Sequence, residues 1–269
     1  MYPNVADDVR SPVISSEPLV RPWQGLDPFI FCGHLEEDYP EGDGELGISS
    51  RSAADQGAGW KMYHGDHVPG FPAHPHHGFE TVTIVPEGLV DHADSHGGSA
   101  RYGKGDVQWL TTGSGIEHGE MFPLTATDAR NPLELFQIWL NLPPAGKRAA
   151  PSFKIFWDKA IPHHRTVDAA GRVADVRIVA GAFAPLDASA PPVQPIAPPP
   201  ASWAADPDHH VAIWLITLDA GASLKLPVTP EGAPAKWNVR TFFGSVQGKI
   251  CRKIAAARNL HDNLAPEIL

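Results

Sequence analysis

A chain of 269 residues with 42% apolar side chains can bury one large core or two ordinary ones. Its formal charge of −10, its pI near 5.7 and the lack of a Lys/Arg stripe exclude a groove built for nucleic-acid phosphates, so any part in transcription would run through another protein. The 28 prolines and 25 glycines suit short strands joined by turns, and an all-β sandwich or barrel is the expected class.

Residues 13–14 and 19–20 offer short strand pieces, and 28–32 (PFIFC) reads as a buried strand. The opening MYPNVADDVRSP lacks the basic-then-apolar order of a signal peptide, and no apolar run nears the roughly 18–20 residues that span a bilayer. A soluble, cytoplasmic protein is therefore expected. Cys32 and Cys251 form no CxxC pair and are expected to be reduced. The stretch 38–59 is polar and glycine-rich, and reads as a long loop or insertion. His64 and His67 follow it at a spacing that fits no single strand face, and are read as solvent-facing.

The chain is organised around 74–120. It begins HPHHGFETVTIV, where His74 and His76 are two apart and, in extended backbone, share one face. Pro75 is tolerable at a strand start or edge, and a strand is expected over 79–85. His92 and His96 fall between the ligand segments, in an expected turn. After the Gly105-Asp106 turn, 107–110 alternates, with Val107 and Trp109 on one face and Gln108 on the other. Beyond the loop at 112–115, His118 and Glu120 repeat the two-residue spacing. Two such pairs on neighbouring strands give three imidazoles and a carboxylate around one ion. That donor set suits Fe(II), Mn(II), Ni(II), Cu(II) or Zn(II), and the absence of thiolates argues against a closed structural zinc site. Glu80 is a rival carboxylate that spacing does not separate from Glu120. Phe79, Val82, Trp109, Phe136 and Trp139 are read first as core and second as a cavity wall.

A long strand is expected over 133–142, and Pro143-Pro144-Ala145-Gly146-Lys147 marks a boundary, giving domains 1–145 and 146–269. In the second half, strands are expected over 153–157, 173–179, 211–218 and 223–226, the last two as a pair, with a proline-rich connector (LDASAPPVQPIAPPPASW) between the middle two. His163-His164 and His209-His210 are adjacent pairs whose side chains diverge in a strand, so no second metal site is expected. The tail from about 237 has a helix-like composition.

The runs HPHHGFETVTIVPEG, DHADSHGGSARYGKGDVQWLTTGSGIEHGEMF and LELFQIWLNLPP resemble the pirin family of bicupins, nearly continuously from Pro72 to about Pro144. The resemblance implies a double-stranded β-helix (jelly-roll) barrel in each half. It implies iron in the first barrel, held by His74, His76, His118 and Glu120, with Glu80 left as a pocket-lining candidate and His92, which aligns with a histidine common in the family, as a candidate for a hydrogen bond within the pocket. It also implies a second barrel without ligands, here truncated or altered, since the tail departs from the family. Two activities follow: a flavonol (quercetin-like) dioxygenase acting on a small aromatic substrate, or a non-enzymatic, iron-dependent redox sensor that binds a protein partner. For the first, Glu120 is the leading candidate for general base and Glu80 the second.

Overall fold

The computed structural model describes residues 23–24, 27–49, 59–185, 190–227, 236–243, 251–258 and 267–268, with backbone alone for 23–24 and for the strands beyond 235. The strand pieces expected at 13–14 and 19–20 lie outside the described residues. So do residues 50–58 of the expected insertion and the side chain of Cys251. Among the described residues, Cys32 takes part in no disulfide.

The described chain is built of strands and short 3₁₀ turns. In the first half these are β1 (Trp23–Gln24), β2 (Phe29–Tyr39), β3 (Gly70–His76), β4 (Phe79–Glu87), β5 (Leu89–Asp94), β6 (Ser99–Gly103), β7 (Val107–Thr111), β8 (Ile116–Met121) and β9 (Asn131–Asn141). They form two facing sheets. One has the order β3-β8-β5-β6, and the other runs β1-β2-β9-β4-β7 and gains a sixth strand, β10 (Ser152–Phe156), at its β7 edge. That strand lies past the expected boundary at 145/146, yet it completes the first sheet. This is the two-sheet jelly-roll arrangement of an all-β fold.

The six-stranded sheet is covered on both faces, which explains why β7 is buried at every position and β4 from Glu80 to Val85. On its inner face Val85, Leu133 and Leu135 pack with Tyr39, Tyr102 and Phe122. On its outer face Val82, Ile84, Trp109, Phe136, Ile138 and Leu140 meet Val179, Ile213 and Leu215 of the second half. The packing of the second half against this face thus turns a half-solvated sheet into a buried wall.

The second half contains β11 (His163–Val167), β12 (Val173–Ala180), β13 (Ala212–Leu218), β14 (Leu224–Lys225), β15 (Lys236–Phe243), β16 (Cys251–Arg258) and β17 (Glu267–Ile268). Its main sheet has the order β11-β12-β13-β16-β15. Two expectations are corrected here. The tail, helical by composition, supplies β15 and β16, because β16 pairs with the edge of β13 along all seven residues and β15 pairs with β16. An open sheet edge is a stronger local template than weak helix propensity. The expected hairpin at 211–226 does not form either: β14 pairs with β17 instead of β13.

Candidate metal centre

His74 and His76 close strand β3, and do not open the following one as their sequence context suggested. A turn at Gly78, which has φ +76° and so favours glycine, then sends the chain across to the other sheet. Because β3 is a sheet edge, Pro75 removes no interior ladder bond. β8 lies beside β3 in antiparallel register, with His74 opposite His118. The two-residue period then carries His74, His76, His118 and Glu120 to the inside of the barrel.

One ring nitrogen from each of His74, His76 and His118 falls within a group whose members are all within 4.8 Å of one another. Among the described residues, these are the side chains that converge closely enough to hold an ion. The ring centroids are 4.6 to 5.0 Å apart. The Glu120 carboxylate lies on the same face, 4% exposed, but is not one of the atoms in that group. Gln137 Nε2 donates to its Oε2 at 2.9 Å and Thr83 Oγ1 donates to Oε1 at 3.4 Å. Trp139 Nε1 in turn donates to Gln137 Oε1 at 3.1 Å, which fixes the orientation of that amide.

The hydrogen bonds leave the histidines ready for a cation. Pro72 O can only accept, so His74 Nδ1, 2.8 Å away, carries the proton and Nε2 keeps its lone pair. His118 Nε2 is buried without any hydrogen-bond partner. An orphaned imidazole nitrogen of this kind costs free energy unless something electrophilic meets it. Burial, with the neighbouring His74, holds the His76 pKa down to about 4; burial, together with His74, His76 and His92, holds that of His118 down to about 3. Both are therefore neutral at pH 7, the form that ligates metal. Burial pushes the Glu120 carboxyl upward, against the pull of Gln137 and His74. The donor set, neutral imidazoles with one orphaned lone pair beside a buried carboxyl, fits a mononuclear transition metal.

Glu80 is not brought to this cluster. Positions 80, 82 and 84 of β4 face the second half, while Thr83 and Val85 face inward. Glu80 is fully buried on that outer face, where Thr111 Oγ1 donates to it at 2.8 Å. Burial pushes its pKa up to about 7, offset in part by the hydroxyls of Ser202 and Thr111. The aromatic candidates divide in the same way. Val82, Trp109 and Phe136 belong to the outer core, whereas Phe79 and Trp139 flank His76 at 5.0 and 5.3 Å and lie 4.8 Å from each other. His92 lies in strand β5, not in a turn, and points inward, while His64, His67 and His96 are exposed. Gln137, Thr83 and Asp94 went unnoticed in the sequence, for nothing in their local pattern marks them as neighbours of the histidines.

The profile of the pirin family matches residues 14–140. Over this segment, just under half of its length, the chain is similar to the pirin family. A Pseudomonas aeruginosa protein provisionally named as a quercetin 2,3-dioxygenase is 37% identical over 163 residues, covering 61% of this chain and 50% of that protein. A pirin-like protein of Caulobacter vibrioides is 38% identical over 117 residues, covering 44% of this chain and 40% of its own length. The chain thus spans about half, or less, of these curated relatives. Among solved structures, a quercetin 2,3-dioxygenase from Acinetobacter baumannii superposes with a TM-score of 0.55 at 25% identity, covering 87% of this chain and 71% of that one. GK1651 from Geobacillus kaustophilus, 23% identical, shares the fold with a TM-score of 0.54, over 92% of this chain and 80% of its own. The matched segment contains His74, His76, His118 and Glu120.

Proposed function

We propose that this protein is an iron-dependent dioxygenase acting on a flavonol-like aromatic enol, with the ion held by His74, His76 and His118. The observation that carries this reading is the convergence of three imidazole nitrogens within 4.8 Å beside a buried carboxyl and an aromatic wall. The names of the Pseudomonas and Acinetobacter relatives support the reaction class. A bound Fe(II), or Mn, Ni, Cu or Zn in its place, would supply Lewis acidity and a template for substrate and dioxygen.

The protein's own residues do the rest. Phe79 and Trp139 meet His76 in T-shaped contacts and form the aromatic wall that would flank a planar substrate. An open depression of roughly 440 Å³, lined by Pro75, His76, His77, Gly115, Ile116 and Glu117 among others, touches the cluster at His76. Glu120 takes the proton of the substrate hydroxyl. Its burial-raised affinity for protons suits that task better than an exposed carboxylate would, and Gln137 keeps the carboxylate aimed.

The test is aerobic incubation of Fe(II)-loaded protein with quercetin. Bleaching of the visible absorption with stoichiometric dioxygen consumption is the expected result. No turnover with any of the five metals would remove the oxygenase reading and leave the redox-sensing one, with a protein partner, to be pursued.

A further inference from the structure

The first barrel holds a fourth inward-facing histidine that is not among the convergent ligand atoms. His92 is 2% exposed on β5, the strand on the other side of β8 from β3. In the β5–β8 register His92 stands opposite Glu120 and Asp94 opposite His118. His92 Nε2 lies 2.9 Å from Asp94 Oδ2, and His92 Nδ1 lies 3.4 Å from His118 Nδ1.

We propose that His92 is a positioning residue for the metal centre: backed by Asp94, it locks His118 in the tautomer that presents Nε2 to the ion. The inference rests on reading the site as a metal centre, and is independent of the oxygenase chemistry. The direction of each hydrogen bond follows from what each atom can do. The Asp94 carboxylate accepts, so His92 Nε2 carries a proton, and in the neutral imidazole His92 Nδ1 is then a bare acceptor. That acceptor faces His118 Nδ1, and the contact is attractive when His118 carries its proton there. The opposite tautomer of His118 would set two lone pairs against each other. At 3.4 Å the bond is long, so its value lies in excluding the wrong tautomer more than in its own strength. With Nδ1 protonated, His118 Nε2 is a lone pair, and this is the atom left buried without a partner.

The chain is itself held rigid. Asp94 Oδ1 accepts from the backbone N–H of His96 at 2.8 Å and of Gly98 at 3.0 Å, so the carboxylate belongs to the β5–β6 turn. Gly98 is glycine for a steric reason: a Cβ there would strike the Asp94 carboxylate and the Phe153 ring. Phe153 lies 4.7 Å from the His92 ring, at 57°, and fixes its plane. His74 solves the same problem with the carbonyl of Pro72. His118 lies in the middle of a sheet, where neighbouring carbonyls are used by the ladder, so a side chain has to serve.

The experiment uses the full chain with Co(II) as probe, titrated against a chromophoric chelator while the d–d absorption is recorded. His92→Leu is expected to weaken Co(II) binding by about 10–100-fold and to alter the d–d band. His92→Gln is expected to stay within about threefold of wild type, because its amide can accept from His118 and donate to Asp94. Binding by His92→Leu equal to wild type, or by His92→Gln as weak as His92→Leu, would overturn the proposal. A second measurement needs no variant: ¹⁵N spectra of the histidine-labelled apo-protein should show His118 protonated on Nδ1, and the reverse tautomer would sink the idea. Protein that binds Co(II) as described yet consumes no flavonol keeps this relay and loses only the oxygenase reading.

Discussion

The two halves of the molecule each contain several histidines, and they use them in opposite ways. In the first barrel His74 and His76 are two apart on one strand, His118 lies on its antiparallel neighbour, and the three rings meet. In the second half the pairs are adjacent in sequence, and their members part company. His163 turns to Asp175 at 3.0 Å, while His164 stacks on Phe183 at 4.9 Å. His209 packs on Trp203 and contacts its carbonyl, while His210 takes a left-handed conformation with φ +51°. The difference teaches that parity along a strand, not the number of imidazoles, makes a site. His163 and His164 part because neighbours on β11 face opposite ways, whereas His209 and His210 end a 3₁₀ turn and its cap, not the strand their sequence suggested.

The largest expected effect breaks the first-barrel cluster. His118→Ala should bring metal content, read by elemental analysis, close to zero, with activity lost alongside it. The same cluster should resist acid. Because the His76 and His118 pKa values are held down to about 4 and 3, protons compete with the ion only well below the ordinary histidine range. Metal retention followed by gel filtration should therefore persist as pH falls through 6.5 and fail only near 4; release centred at 6.5 would contradict the buried, neutral site.

Glu120→Gln keeps the three imidazoles and removes the base. Turnover of quercetin is expected to drop by about 10²–10⁴-fold with metal still bound. A parallel loss of metal would make Glu120 chiefly a ligand.

A smaller effect separates the two faces of β4. Glu80 has its pKa raised from 4.5 to about 7 by burial, so the folded state binds the extra proton between those values. Stability from this group is fully present below about pH 4.5 and is lost as pH rises through 7, on the order of 3 kcal/mol. Glu80→Gln should abolish that component of the decline in urea unfolding measured at pH 4.5 and 8, and leave quercetin turnover near wild type. Loss of turnover in this variant would bring Glu80 back as a catalytic group. The smallest effect is the control: His163→Ala and His209→Ala should leave metal stoichiometry unchanged.

Much of this was legible in the sequence because a β-strand's period is short and local. The alternation around 107–110, and the paired spacings at His74, His76, His118 and Glu120, each needed only a few residues to read. The role of Glu80 was not legible, since both faces of β4 are buried and nothing local says which one lines the site. Only the second half, laid against Val82 and Ile84, assigns Glu80 to the outer wall. Gln137, Thr83 and Asp94 have no motif of their own; strand pairing and the facing of the two sheets bring them to the cluster. The strands at 236–243 and 251–258 likewise exist because β13 offered an edge, against the composition of the segment itself. Sequence by itself determined which side chains share a face, because that depends on the backbone period alone. Which faces look at each other, and so which hydrogen bonds orient the ligands, was decided by tertiary structure, because barrel closure and inter-sheet packing depend on residues far apart in the chain.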